Sequence, residues 1–252
     1  MDSPTKAVQA QVQLKILGRP LELHFALPAG PTRSSELLPA IHSLTDSVIS
    51  LTAQAARETG QLEVSCRKGC AACCRKLLLI APAEAHRLAH LVGDLPEPQR
   101  GSVLSRFAKA IRALEAGGLL AELRAAPRMC EPELYDLGER FFRLWVDCPF
   151  LENEECVIYA ERPLACREYA VFSPPEWCFP QSSQNEVDLM CLPAKPSRAV
   201  AAWNPPQDTS AAGWIPLVLA LEWTAGNPEP PTARPAEQWL KVFLDQLSLS
   251  DR

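Results

Sequence analysis

Four cysteines, Cys66, Cys70, Cys73 and Cys74, fall within nine residues in the stretch SCRKGCAACCRK, residues 65–76. Thiols at that density repel one another once ionised and oxidise when left free. The usual reason to gather them is a soft metal ion or an iron–sulfur cluster, which thiolates ligate well. The chain beyond residue 140 carries further cysteines, and a fold that uses them together must return to this point.

With 252 residues, 47% of them hydrophobic and 22% charged, the chain reads as an ordinary globular protein with a sizeable core. Its net charge of −5 is spread without a long basic run, which argues against nucleic acid or an anionic membrane as the main partner. The apolar run Ile215 to Leu221 is short and holds Pro216, so no transmembrane helix is expected. The opening MDSPTKAVQAQVQLK lacks the pattern of a signal peptide, and the expected location is the cytoplasm. Ten cysteines would fit disulfides arithmetically, but a reducing compartment disfavours them and a chain of this size needs no staples.

Residues 8–16 alternate apolar and polar, and LELHF resumes the alternation after LGRP, which predicts a β-hairpin with His24 on its polar face. A helix is expected over 35–59, with Ser35 as N-cap, a stripe of Leu37, Leu38, Ile41, Leu44, Val48, Leu51 and Ala55, and Gly60 as its stop. Pro82 opens another helix. There His86 and His90 lie one turn apart, a spacing that suits either zinc or a solvated face, with no third ligand nearby in sequence. Further helices are expected over 97–116, with Val103, Leu104, Phe107, Ile111 and Leu114 inward, over LLAELRAA, and over EPELYDLGERFFRLW. The last should bury Leu134, Leu137, Phe141, Leu144 and Trp145. Residues 172–235 hold twelve of the 24 prolines and four of the six tryptophans, so an irregular segment wrapped over the core is expected. A closing helix should present Trp239, Phe243 and Leu247. The expected fold is mainly α, with a small N-terminal β-hairpin and irregular cysteine-bearing loops around a metal centre. It is read as one domain over 1–252. A hairpin and helix (1–64) precede the cysteine region (65–180), and a Pro/Trp-rich extension (181–252) follows.

Cys66, Cys70 and Cys73 are spaced C-x3-C-x2-C, and Gly69 can supply the backbone angles of a tight turn between them. Arg67, Lys68, Arg75 and Lys76 either lower the thiol pKa values or are plain surface charges. Cys148, Cys156, Cys166 and Cys178 form a second group with wide gaps, as ligands from separate loops would. Closing the chain from Cys74 to Cys148 costs about 4 kcal/mol, whereas a structural thiolate–metal site returns roughly 10–16 kcal/mol, so a long-range centre is energetically reasonable. Neighbouring side chains tend to diverge. Either Cys73 and Cys74 therefore differ in purpose, or the eight cysteines divide between two centres. Cys130 and Cys191 stand apart and read as small buried hydrophobes.

CRKGCAACC followed by CPFLENEECVIYAERPLACREY resembles the YkgJ-type cysteine-cluster proteins, the CxxCxxCC or zinc- or iron-chelating domain family. The likeness covers about residues 65–180. It implies that Cys66, Cys70, Cys73, Cys74, Cys148, Cys156 and Cys166 are the family's cysteines, with Cys178 an eighth, and that Arg162 and Pro163 shape the loop before Cys166.

Three functional classes follow. The first is a metal-binding or sensing protein holding an iron–sulfur cluster, which an all-cysteine site on scattered loops suits, or zinc. The second is an iron–sulfur enzyme. C-x3-C-x2-C is also the radical S-adenosylmethionine spacing, but Ala72 stands where an aromatic is expected and the chain lacks the βα repeats of a barrel. A related domain occurs in flagellin lysine methylases, which makes methyl transfer an analogy. The third is a thiol–disulfide enzyme using Cys70 and Cys73, without the βαβ context of that motif. No catalytic serine triad, phosphate loop or carboxylate pair is recognisable. The acidic LENEEC reads as a solvated loop.

Overall fold

A computed structural model describes residues 7–61, 63–179, 185–205, 213–230 and 234–249. Strands β1 (Ala7–Ile16) and β2 (Arg19–Pro28) pair antiparallel, from Ala7 opposite Pro28 to Ile16 opposite Arg19. Leu17 and Gly18 turn the hairpin with φ of 50° and 78°, the primed geometry whose twist suits flanking strands. Val12, Ile16, Phe25 and Leu27 are buried, while His24 stays exposed on the outer face, as expected. A short β3 (Pro31–Thr32) leads into α1 (Ser34–Glu58).

The α1 stripe Leu37, Leu38, Ile41, Leu44 and Val48 is buried, which makes this helix the spine of the core. Its start differs from expectation. Glu36 reaches back to the Arg33 N–H at 3.0 Å, while Ser35 donates its hydroxyl to Glu229 at 3.0 Å instead of capping. Gly60, at φ 85°, follows the helix end.

After the cysteine run come β4 (Leu79–Ile80), α2 (Pro82–Asp94), α3 (Gln99–Ala116), α4 (Leu120–Ala125) and α5 (Glu131–Leu144). Leu104 and Leu144 are exposed rather than inward. Trp145 leaves the helix in the left-handed region at φ 53°, and its ring packs on Phe142 and Phe179. The two-residue strands β5 (Leu151–Glu152) and β6 (Glu155–Cys156) form a tight hairpin ahead of α6 (Leu164–Glu168).

Beyond residue 172 the regular pieces are short, as the prolines require: α7 (Pro196–Ala201), β7 (Ile215–Pro216), α8 (Ala220–Gly226) and β8 (Arg234–Pro235). Residues 180–184, 206–212 and 231–233 of that stretch lie outside the described residues. The late strands pair with early ones, β7 with β4 and β8 with β3, so the C-terminal third is tied to the N-terminal part. The closing helix α9 (Ala236–Leu249) buries Trp239, Phe243 and Leu247 in the same apolar cluster as the hairpin and α1. Trp203 donates its indole N–H to the Trp239 carbonyl at 2.9 Å, and Trp239 donates to that of Thr32 at 2.8 Å, so neither buried indole lacks an acceptor. Among the described residues, no helix is long and apolar enough to cross a membrane.

Candidate metal centre

Gly69, at φ 87°, turns the chain ahead of Cys70, whose N–H donates to Arg67 O at 3.0 Å. Only glycine adopts that angle freely. A 3-10 turn, Ala72–Arg75, then carries Cys73 and Cys74. The two adjacent thiols nonetheless interact with each other.

The other cysteines are brought to this turn by separate devices. Cys148 donates its N–H to the Cys74 carbonyl at 2.8 Å, stitching the second group to the first. Cys156 is placed by the β5–β6 hairpin, in which Asn153 and Glu154 take φ of 51° and 61° and Leu151 lies opposite Cys156. Cys166 rides on α6, whose five residues are fixed by buried charged groups. Glu84 accepts the Leu164 N–H at 2.8 Å, and Glu168 accepts the N–H and hydroxyl of Ser197 at 2.6 and 2.8 Å. Arg167 pairs with Asp46 of α1 at 2.7 Å and donates to the carbonyls of Arg162 and Ala160. Arg162 lies over the Tyr159 ring at 3.9 Å, so the R-P-x-x-C-R segment is held by its own arginines. Cys178 ends a 3-10 turn, Pro175–Cys178, and shares an apolar patch with Cys66, Cys70 and Tyr169.

Cys73, the thiol held lowest, acts electrostatically on Cys66, Cys74, Cys148, Cys156, Cys166 and Cys178. Around it the thiols fall into two sets. Cys66, Cys70 and Cys178 share one apolar patch and Cys148 and Cys156 pack in another, with Cys148 acting electrostatically on Cys74 and Cys166. Burial pushes the Cys66 thiol up to about 11 and the Cys148 thiol up to about 12, and raises Cys156, Cys166 and Cys178. Cys73 is held below its ordinary value, to about 7, because the Cys74 thiol donates to it, with Lys76 and Arg162 assisting; Cys74 is raised in return.

The flanking cations divide. Arg67 and Lys68 are exposed. Arg75 is buried against Asp147 (2.7 Å) and Glu154 (3.0 Å), below Trp145. Lys76 donates to the Tyr169 hydroxyl at 2.7 Å. Glu152 pairs with Arg106 at 3.0 Å, so two of the three LENEEC glutamates hold ion pairs within a loop that is exposed to solvent, as expected. Cys130 and Cys191 lie outside the site, and neither is a buried hydrophobe. Cys130 is half-buried ahead of α5, while Cys191 is exposed because the extended chain alternates, burying Met190 and Leu192. His86 is buried against Trp223, with ring centroids 5.4 Å apart, not on a solvated face.

A soft ion or cluster fits this donor set: the gathered side chains are thiols, and a cation among them would offset both burial and mutual repulsion. Among the described residues, no three Cys, His, Asp or Glu side chains already stand within reach of one ion. The fit therefore lies in donor chemistry and neighbourhood rather than in preformed coordination. Sequence reasoning missed Glu84, Arg167 and Glu168, which carry no signal beyond their place in or near the R-P-x-x-C-R segment and the first turn of α2.

The fold is mainly helical, with the cysteines carried on loops, short turns and the short α6 and β6. The model of the CxxCxxCC family, described as a "putative zinc- or iron-chelating domain", matches residues 65–191. That is half of the chain, and the protein belongs to this family. No curated protein and no solved structure matches it.

Proposed function

We propose that this is a cytoplasmic protein that holds an iron–sulfur cluster, or else zinc, through Cys66, Cys70, Cys73, Cys74, Cys148, Cys156, Cys166 and Cys178, and that it serves redox or metal sensing. The reading is supported by cysteines from separate stretches of chain sharing one neighbourhood: Cys66, Cys70 and Cys178 meet in one apolar patch, and the Cys148 N–H donates to the Cys74 carbonyl at 2.8 Å. When bound, a cluster would supply reversible one-electron chemistry, and zinc would supply structural cross-linking. The chain's own part is to hold the donors. The Cys73–Cys74 pair offers the thiol that ionises most readily, Lys76 and Arg162 stabilise the anion, and the anchored α6 presents Cys166.

Iron–sulfur is favoured over zinc because an all-cysteine donor set carried on scattered loops suits a cluster. The test is iron, zinc and acid-labile sulfide content, with the visible spectrum, on protein purified without oxygen. Iron and sulfide in equal amounts with a brown colour that bleaches in air establish the cluster. Colourless protein with stoichiometric zinc replaces it by the structural reading. Metal-free protein with paired thiols overturns both.

A further inference from the structure

Among the described residues, strand β1 has one neighbour, β2, in a two-stranded sheet. The two-residue turn at Leu17 and Gly18 makes Ile16 and Arg19 a hydrogen-bonded pair, and such pairs then alternate along the hairpin. Lys15–Pro20 and Ala7–Pro28 fall at the non-bonded positions, where a missing N–H takes nothing from the ladder. At those positions the backbone points away from the partner strand, so Pro20 and Pro28 remove two donors from the outer edge of β2. The outer edge of β1 has no such protection. It presents the N–H and C=O of Ala7, Gln9, Gln11, Gln13 and Lys15, all of them exposed. Among the described residues, none of these makes a backbone hydrogen bond outside the hairpin. Lys15 is the only charged residue of the strand, and Val8, on the inward row, is 41% exposed. Folded proteins ordinarily cover or block a long, proline-free edge of this kind.

We infer that β1 pairs antiparallel with β1 of a second copy of this chain, about a two-fold axis at Gln11. Hydrogen bonds across the junction must join outward-facing residues, so the odd-numbered positions meet one another. With Gln11 opposite its own counterpart, Gln9 meets Gln13 and Ala7 meets Lys15, a register that uses every outward residue and opposes no like charges. On the inward row Val8 of one copy faces the half-buried Leu14 of the other, which covers the exposed valine. The junction adds about ten backbone hydrogen bonds and builds a four-stranded sheet in the order β2, β1, β1, β2. Its outer edges are those of β2, already blocked by Pro20 and Pro28, so the pairing closes at two copies instead of running on. A second copy is therefore the fitting occupant: β1 is complementary to itself, and the finished sheet offers no open edge. The hairpin precedes residues 65–191 that match the family model, so the inference does not rest on the metal reading.

Sedimentation equilibrium of the full chain over about 1–100 µM tests it. The parent chain is expected to be a dimer at the upper end of that range. Gln11→Pro removes the central outward N–H at the same kind of position that Pro20 and Pro28 occupy, and should weaken the dimer about tenfold or more. Two charge variants keep the test independent of any strain from the proline. Gln13 lies opposite Glu22 and Gln9 opposite Ala26 within the hairpin, so lysines at these positions leave the hairpin itself unopposed. Gln9→Lys with Gln13→Lys sets like charges against each other across the axis and should give monomer. Gln9→Glu with Gln13→Lys sets unlike charges there and should keep the dimer. A parent chain that stays monomeric overturns the inference, as does a dimer that neither Gln11→Pro nor the double lysine variant weakens. Growth beyond two copies overturns the closure assigned to Pro20 and Pro28.

Discussion

The carboxylate of Glu84 on α2 accepts the backbone N–H of Leu164 at 2.8 Å, although 80 residues separate them. Its second oxygen accepts the Ala81 N–H at 3.0 Å. One buried side chain, 2% exposed, thus closes the first turns of α2 and α6, two residues ahead of Cys166. Burial pushes its carboxyl up to about 7, against the two N–H donors that favour the anion. Glu84→Ala leaves both donors unmet in a dry site and should cost about 2–4 kcal/mol. Glu84→Gln keeps one acceptor and should cost about half as much. Urea unfolding compares the two; equal midpoints for Glu84→Ala and the parent chain would remove Glu84 from this role.

His42 on α1 is 6% exposed. Burial first, then the facing Arg167, Arg87 and Arg162 guanidiniums, presses its pKa from 6.5 to about 3. The folded chain therefore resists protonation that the unfolded chain accepts. The stability linked to this neutral imidazole is fully present above pH 6.5 and is lost as pH falls from there toward 3, on the order of 5 kcal/mol in all. His42→Gln carries no titrating group and should flatten the acid limb. Unfolding midpoints at pH 7.5, 6 and 4.5 read this directly. Parallel slopes for variant and parent would show that His42 does not titrate with folding.

Arg75 joins the two cysteine groups by charge, pairing with Asp147 and Glu154 at 2.7 and 3.0 Å. Its own side chain is 10% exposed, but its partners are 54% and 60% exposed, so solvent screens much of the attraction. Replacing Arg75 by Met keeps apolar volume below Trp145 and deletes the charge. The expected loss is about 1–2 kcal/mol, with the loop around Cys148 loosened first. Hydrogen exchange should show faster exchange at the Cys148 amide, whose acceptor is Cys74 O. An unchanged Cys148 rate would mean that the backbone bond holds this junction without Arg75.

What the sequence made legible follows from periodicity and cysteine spacing. The hairpin and the α1 stripe repeat over enough residues for the pattern to show, and a cysteine has few reasons to sit beside three others. Legibility ended where a residue's environment depends on distant chain. Glu84 looks like any first-turn acid, yet it is buried because α6 packs over it. His86 lies in a polar-looking EAHRLAH segment, yet α8 brings Trp223 onto its ring. The interaction between Cys73 and Cys74 arises in a single 3-10 turn, which four residues of sequence do not distinguish from an extended loop.

The division of thiols about Cys73 makes the ligand variants informative. Cys70 belongs to the set with Cys66 and Cys178, whereas Cys166 lies with Cys148 and Cys156. If all eight serve one connected centre, Cys70→Ser and Cys166→Ser should each abolish stoichiometric metal. Each should also lower stability by several kcal/mol, since bound metal contributes to folding free energy. Cys130→Ser and Cys191→Ser, at half-buried and exposed positions away from the site, should retain metal and change stability by under about 0.5 kcal/mol. Metal analysis and thermal unfolding of the four variants give the answer together. Half the metal left in either Ser variant would divide the thiols into two separate centres, and full retention in Cys166→Ser would take that residue out of the ligand set.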